Sequence, residues 1–218
     1  MKLTKKTGIA LRTLAGIAVV ALIAPVAAAN IENPWLVRVR AIEVTPDESS
    51  TISVIGGSAE VDDSIAPELD ISYFFSDHWA AELVLTLSPH DVSAKNTAAG
   101  DVDLGDVWLL PPCLSLQYHL LPENKIRPYV GAGVNLTLFL DEDPGPVATS
   151  IDYDDALGFV LGAGIDFDLN DQWCLNVDIK KVYLSTDATI KVPGVAGDVV
   201  ADVDIDPWIL GVGLGYKF

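Results

Sequence analysis

Residues 208–218 read Trp-Ile-Leu-Gly-Val-Gly-Leu-Gly-Tyr-Lys-Phe. Every second residue (Trp208, Leu210, Val212, Leu214, Tyr216, Phe218) is bulky and apolar, and those between (Ile209, Gly211, Gly213, Gly215, Lys217) are mostly small. Side chains alternate across a strand, so this period-two pattern describes a β-strand with one greasy face. At about 10 residues it is long enough to cross a bilayer at a tilt. An unpaired edge in lipid would leave its N–H and C=O groups unsatisfied. The strand is therefore expected to close a barrel by pairing with the first.

Seven earlier segments alternate in the same way, at residues 35–44, 66–75, 79–87, 108–120, 127–139, 156–169 and 173–184. Three connections are tight: Ser76-Asp77-His78, Pro122-Glu123-Asn124-Lys125 and Asn170-Asp171-Gln172. Four are long, at residues 45–65, 88–107, 140–155 and 185–206. Short turns at one end and long loops at the other describe an all-β, eight-stranded antiparallel transmembrane barrel with short periplasmic turns and long extracellular loops. A soluble β-sandwich would not need so many purely apolar outward faces. Tyr73-Phe74-Phe75-Ser76-Asp77-His78-Trp79 and Phe167-Asp168-Leu169-Asn170-Asp171-Gln172-Trp173 both flank a polar turn with aromatic rings. Such rings favour the membrane–water boundary.

Lys2, Lys5, Lys6 and Arg12 precede the apolar run 14–24 and the small residues Ala27-Ala28-Ala29, the pattern of a secretory signal cleaved after residue 29. The run is shorter than the ~18 apolar residues of a spanning helix. Residues 30–218 would form the barrel. Cleavage would leave 9 basic against 31 acidic residues, a net charge of −22. Nucleic acid would be repelled. Cys113 and Cys174 are the only cysteines, and an exported protein could pair them, although two do not make a disulfide scaffold.

Parity assigns the faces. In the fifth segment Pro128, Val130, Ala132, Val134, Leu136 and Leu138 point to lipid, and Arg127, Tyr129, Gly131, Gly133, Asn135 and Thr137 to the lumen. Across the barrel the lumen would hold Arg38, Arg40, Glu68, Asp70, Glu82, Gln117, His119, Arg127, Asp166, Asp168, Asp178, Lys180 and Lys217 in its middle and turn end. Unpaired buried charge costs several kcal/mol, so these five bases and six acids are expected to pair into a plug rather than form an ion filter. The inward residues at the loop end, Ile42, Leu109, Phe139, Leu184 and Ile209, are apolar. An apolar ligand would be held at such a mouth and would gain nothing among paired charges below it. Exit is then expected sideways into the bilayer. Pro111, Pro112, Pro128 and Pro207 cannot donate ladder hydrogen bonds, and they either loosen strand pairing or merely bend strands.

Several stretches resemble one family. These are Asn33-Pro34-Trp35-Leu36-Val37-Arg38, Pro67-Glu68-Leu69-Asp70-Ile71-Ser72-Tyr73-Phe74, Leu110-Pro111-Pro112, Gln117-Tyr118-His119, Arg127-Pro128-Tyr129-Val130-Gly131-Ala132-Gly133-Val134-Asn135 and Asp204-Ile205-Asp206-Pro207-Trp208. The chain is similar over nearly its whole expected mature length to the outer membrane protein W (OmpW) family. The resemblance implies an eight-stranded barrel in a Gram-negative outer membrane and a narrow channel for small hydrophobic molecules. The aromatic last strand resembles the signal read by the outer-membrane assembly machinery.

The long connections carry 20 acidic residues against Lys95 and Lys191. They are expected to be solvated loops. Divalent cations shared with lipopolysaccharide phosphates are the alternative, although no calcium-loop spacing is present. No cofactor, metal centre or enzyme activity is expected. Ser115 and His119 lie four apart on one strand face, too far for a nucleophile and its base. The Gly-x-Gly pairs at 131/133, 162/164 and 211/213 precede no helix and suit a curved barrel wall. The alternative function is a structural or receptor-type barrel with a closed lumen and ligand-binding loops.

Overall fold

The computed structural model describes residues 33–53, 56–98, 100–194 and 197–218. The signal peptide expected over residues 1–29 lies outside the described residues. Among the described residues fifteen strands follow one another: β1 (Trp35–Thr45), β2 (Ser49–Ile52), β3 (Ser58–Val61), β4 (Ser64–Phe74), β5 (Trp79–Thr86), β6 (Ser88–Thr97), β7 (Gly100–Leu110), β8 (Cys113–His119), β9 (Ile126–Pro144), β10 (Ser150–Tyr153), β11 (Ala156–Asp168), β12 (Trp173–Tyr183), β13 (Ser185–Lys191), β14 (Val199–Asp204) and β15 (Trp208–Lys217).

Eight of them form a closed antiparallel barrel in the order β11-β12-β15-β1-β4-β5-β8-β9, with β9 returning to β11. The last strand meets the first over ten residues, from Leu36↔Lys217 to Thr45↔Trp208. Closure leaves no edge in lipid, which a spanning sheet requires. The strand faces alternate in burial: β1 buries Leu36, Arg38, Arg40, Ile42 and Val44 and exposes Val39.

Outward aromatic residues gather near the turns. Trp35 lies against Tyr73 with ring centroids 4.7 Å apart. Trp79 meets Tyr118 at 4.9 Å, and Trp173 meets Tyr216 at 4.9 Å. At the other rim stand Trp108, Phe159 and Trp208, all exposed, with the Lys181 ammonium 5.0 Å over the Trp208 ring. From Tyr216 to Trp208 a tilted strand climbs about 20 Å, close to the height of an outer-membrane apolar band.

The four long connections differ from the loops expected there. They carry β2, β3, β6, β7, β10, β13 and β14, which extend the barrel into an extracellular cap. One half of the cap is the sheet β10-β13-β14-β2, and the other is β3-β6-β7 continued by the upper end of β9. The expected segment at 108–120 is also two strands. It breaks at Pro111-Pro112 between β7 and β8, because adjacent prolines remove two consecutive ladder donors. Cap and rim share one apolar core that runs from Ile42 and Val44 through Leu109 and Leu184 to Ile190 and Val199.

Candidate functional site

The turn end and middle of the lumen hold a block of paired charge. Arg38 donates from Nε to Asp166 at 3.1 Å and from Nη2 to the same carboxylate at 2.9 Å. Its Nη1 reaches Asp70 at 3.0 Å and Ser72 at 2.9 Å. Arg40 bonds Glu68 at 2.7 Å, Asp70 at 2.9 Å and Asn176 at 3.1 Å. Lys180 pairs with Asp178 and lies 3.5 Å from Glu68. Nearer the turns Asp168 receives Arg127 at 2.9 Å and Lys217 at 2.9 Å, and Arg127 also lies 3.4 Å from Asp166. Glu82 is the least well served acid. Arg40 lies 3.7 Å from it, and one of its carboxylate oxygens has no hydrogen-bond partner.

Neutral groups complete the block. The Tyr129 hydroxyl donates to Asp178 at 2.9 Å, and the Arg38 guanidinium lies 5.3 Å from the Tyr129 ring centre. Glycines on the neighbouring strands, Gly213 opposite Arg40 and Gly164 opposite Tyr129, make room for these side chains. A Cβ at Gly213 would strike the Val39 carbonyl and Arg40, and one at Gly164 would enter the Tyr129 ring. His119 is buried between the rings of Phe74 and Tyr129, and its Nε2 meets Gln117 at 3.3 Å. Among the described residues no group of three or more His, Cys, Asp or Glu side chains is placed to hold a metal ion. Cys113 and Cys174 are buried free thiols on β8 and β12.

The loop end is apolar. Leu109, Leu184 and Ile209, together with Val44, Val182 and Ile205, wall a cavity of about 40 Å³ whose floor reaches Glu68, Asn135 and Lys180. Above it, inside the cap, lies a second cavity of about 30 Å³ bordered by Val107, Phe139, Ile151, Tyr153 and Val203. Val61, Leu109 and Ile205 border both and form the septum between them. The five residues assigned to the mouth by parity thus divide. Leu109, Leu184 and Ile209 face the lower cavity and Leu109 and Phe139 the upper, while Ile42 is buried in the same apolar cluster but borders neither.

Sequence reasoning missed Val61, Tyr153 and Ile205, which lie in connections taken as loops. The signal was present in part: Thr186, Ala188 and Ile190 alternate with Ser185, Asp187, Thr189 and Lys191 along β13. His90 was also missed. It sits in the cap beside the lower cavity, with Nδ1 3.0 Å from the Asp62 carbonyl and Nε2 3.1 Å from the Ser88 hydroxyl. Burial holds its imidazole below the usual histidine value.

Strand pairing is uneven around this mouth. The β4–β5 ladder begins only at Glu68↔Thr86, whereas β4 pairs with β1 as far up as Ser64↔Val44. Pro67 stands at the gap, its carbonyl accepting from the Thr86 hydroxyl at 2.8 Å, and Ile65 and Leu87 are exposed beside it. At all four prolines singled out in the sequence the carbonyl accepts from the neighbouring strand: from the Leu136 N–H to Pro112 at 3.0 Å, the Leu120 N–H to Pro128 at 2.9 Å, the Val182 N–H to Pro207 at 3.1 Å and the Asn135 side-chain amide to Pro111 at 3.3 Å.

Comparison with known proteins gives three results. The model of the OmpW family matches residues 32–218. Outer membrane protein W of Vibrio cholerae is 34% identical over 220 residues, covering 95% of this chain and 99% of that protein. The dibenzothiophene metabolism operon protein PahQ of Pseudomonas aeruginosa is 32% identical over 197 residues, covering 86% of this chain and 90% of that protein. Among solved structures, the crystal structure of the outer membrane protein OprG from Pseudomonas aeruginosa superposes with a TM-score of 0.79 at 33% identity, covering 85% of this chain and 96% of that one.

Proposed function

The chain belongs to the OmpW family of Gram-negative outer-membrane barrels, and on that footing we propose that it takes up small hydrophobic molecules. They enter the apolar extracellular mouth and leave sideways into the bilayer. The observation that carries this reading is the stack of two apolar cavities directly above a buried, paired block of charge. An apolar solute loses water on entering the cavities, which favours entry. It gains nothing by displacing arginine–carboxylate pairs, whose separation in a low-dielectric lumen costs several kcal/mol. The way out therefore lies through the wall, and the β4–β5 ladder, which ends at Glu68↔Thr86 beside Pro67, is a weak place next to the lower cavity. A relative encoded with dibenzothiophene metabolism supports the same ligand class.

The role of Leu109, Phe139, Leu184 and Ile209 in this reading is to hold the ligand, with Ile42 packed in the same apolar cluster behind them. The role of Arg38, Arg40, Glu68, Asp70, Glu82, Arg127, Asp166, Asp168, Asp178 and Lys217 is to close the lumen below it. The last strand would address the chain to the assembly machinery, and the cap would face lipopolysaccharide. No catalytic step is proposed.

Both cavities are small, and Leu109, Leu184 and Ile209 are packed into the core, so uptake requires the mouth to widen. The same packing favours the second reading, a closed barrel whose cap binds partners. Uptake of an apolar solute by cells with an intact lipopolysaccharide surface separates the two. The transport reading expects faster uptake with the wild type and a fall of at least about tenfold with Leu109→Asp, since a carboxylate in that cavity costs several kcal/mol. Uptake indifferent to Leu109→Asp in a folded barrel supports the closed one.

A further inference from the structure

The two halves of the cap meet along a seam that is not built like the barrel. Above residue 138 β9 pairs with β7, and β10 pairs with β13. Between β9 and the segment running from β10 to β11, side chains bond to backbone: Glu142 accepts the Tyr153 N–H at 3.1 Å, and Asp155 accepts the Phe139 N–H at 3.4 Å. Such side-chain bonds give way more easily than a ladder of backbone pairs. Across the same seam the rings of Phe139 and Tyr153 lie stacked, centroids 5.1 Å apart and 13° from parallel. Both border the upper cavity. Burial, with Glu142 beside it, pushes the Tyr153 phenol above its ordinary value, so the ring stays uncharged.

A stacked pair guarding an apolar cavity discriminates by shape. A flat aromatic molecule sliding between the rings gives up one stacking contact and makes two offset-stacked ones. An alkane gives up the same contact and makes only dispersion contacts.

We propose that Phe139 and Tyr153 form the entry slot for planar aromatic hydrocarbons, which part the β9–β10 seam, lie between the two rings and pass from the upper cavity to the lower past Leu109. This rests on the uptake reading above and adds to it a substrate class and a way in.

The test compares uptake of naphthalene and n-octane by cells with an intact lipopolysaccharide surface, expressing the wild type, Tyr153→Leu or Phe139→Leu. Leucine keeps the seam apolar and removes the stack, and Phe139 is the less buried of the two should Tyr153→Leu fail to fold. The naphthalene-to-octane uptake ratio is expected to fall about threefold to tenfold in either variant. A naphthalene-to-octane ratio unchanged in every variant that folds overturns the slot while leaving uptake intact. Acceleration of neither solute by the wild type overturns the uptake reading, and the slot with it.

Discussion

The lumen of this barrel is closed at its two ends by opposite means. At the turn end, closure is electrostatic. Arg38 alone engages Asp70, Ser72 and Asp166, and the side chains involved are fixed in direction because charged hydrogen bonds are directional. At the loop end, closure is by apolar contact among Val61, Leu109 and Ile205 between two cavities. Apolar contact is non-directional and can re-form around a ligand of similar character. The difference teaches that one lumen can be sealed to ions and still yield to an apolar guest.

The most damaging way to break that comparison is to remove a cation from the block. Arg38→Met leaves Asp166 and Asp70 each short of a partner at full burial, and about 3–5 kcal/mol of stability should be lost. Urea unfolding in lipid vesicles reads this directly. A loss below about 1 kcal/mol would mean that the block is not what rigidifies the lower lumen.

A smaller effect sharpens the role of the glycine wall. A Cβ at Gly133 would lie 2.6 Å from the Ser115 Cα and Oγ, whereas one at Gly162 would lie 3.4 Å from the Lys180 Cγ, an ordinary contact. Gly133→Ala should therefore cost about 1–3 kcal/mol through overpacking and Gly162→Ala less than about 0.5 kcal/mol. Equal losses in the two variants would show that the wall adjusts freely to the side chains packed on it.

The smallest expected effect lies in the cap. His90 is held neutral by burial, below the ordinary value of 6.5, so the unfolded chain takes up the extra proton first. The contribution of neutral His90 is complete above about pH 6.5 and is lost as pH falls from there through the folded value. Amide exchange at Asp62 and His90 should quicken from pH 7.5 to pH 5.5, after correction for intrinsic rates, relative to exchange at the barrel strands. His90→Gln should abolish that difference. The same acceleration in His90→Gln would assign it to the surrounding acids.

The barrel was legible in the sequence because lipid imposes a strict rule on one face. Val130, Val134, Leu210 and Val212 must be apolar wherever the strand is wet by lipid, and period two then shows through. Water imposes no such rule on the cap. Along β13 and β14 the outward positions are Ser, Asp, Thr, Lys and Val, and their acid density read as loop although the inward residues alternate. Val61 on β3, Tyr153 on β10 and Ile205 just beyond β14 were hidden in the same polar connections. In the lumen, parity put the charged residues on one face, but it could not say which acid meets which base. Arg38 and Asp166 are 128 residues apart, and their meeting depends on closure of the barrel through β1–β15 and β12–β15. Pro111-Pro112 broke a segment that hydropathy alone ran together.

The most direct measurement is the location of a bound apolar ligand by magnetic-resonance contacts between naphthalene protons and labelled side chains of the barrel in bilayers. The account expects contacts to the methyl groups of Leu109, Leu184 and Ile205 and none to Arg38 or the Tyr129 ring. Ligand contacts running down through Arg38, Tyr129 and Arg127, or no bound ligand at saturating naphthalene, would contradict it.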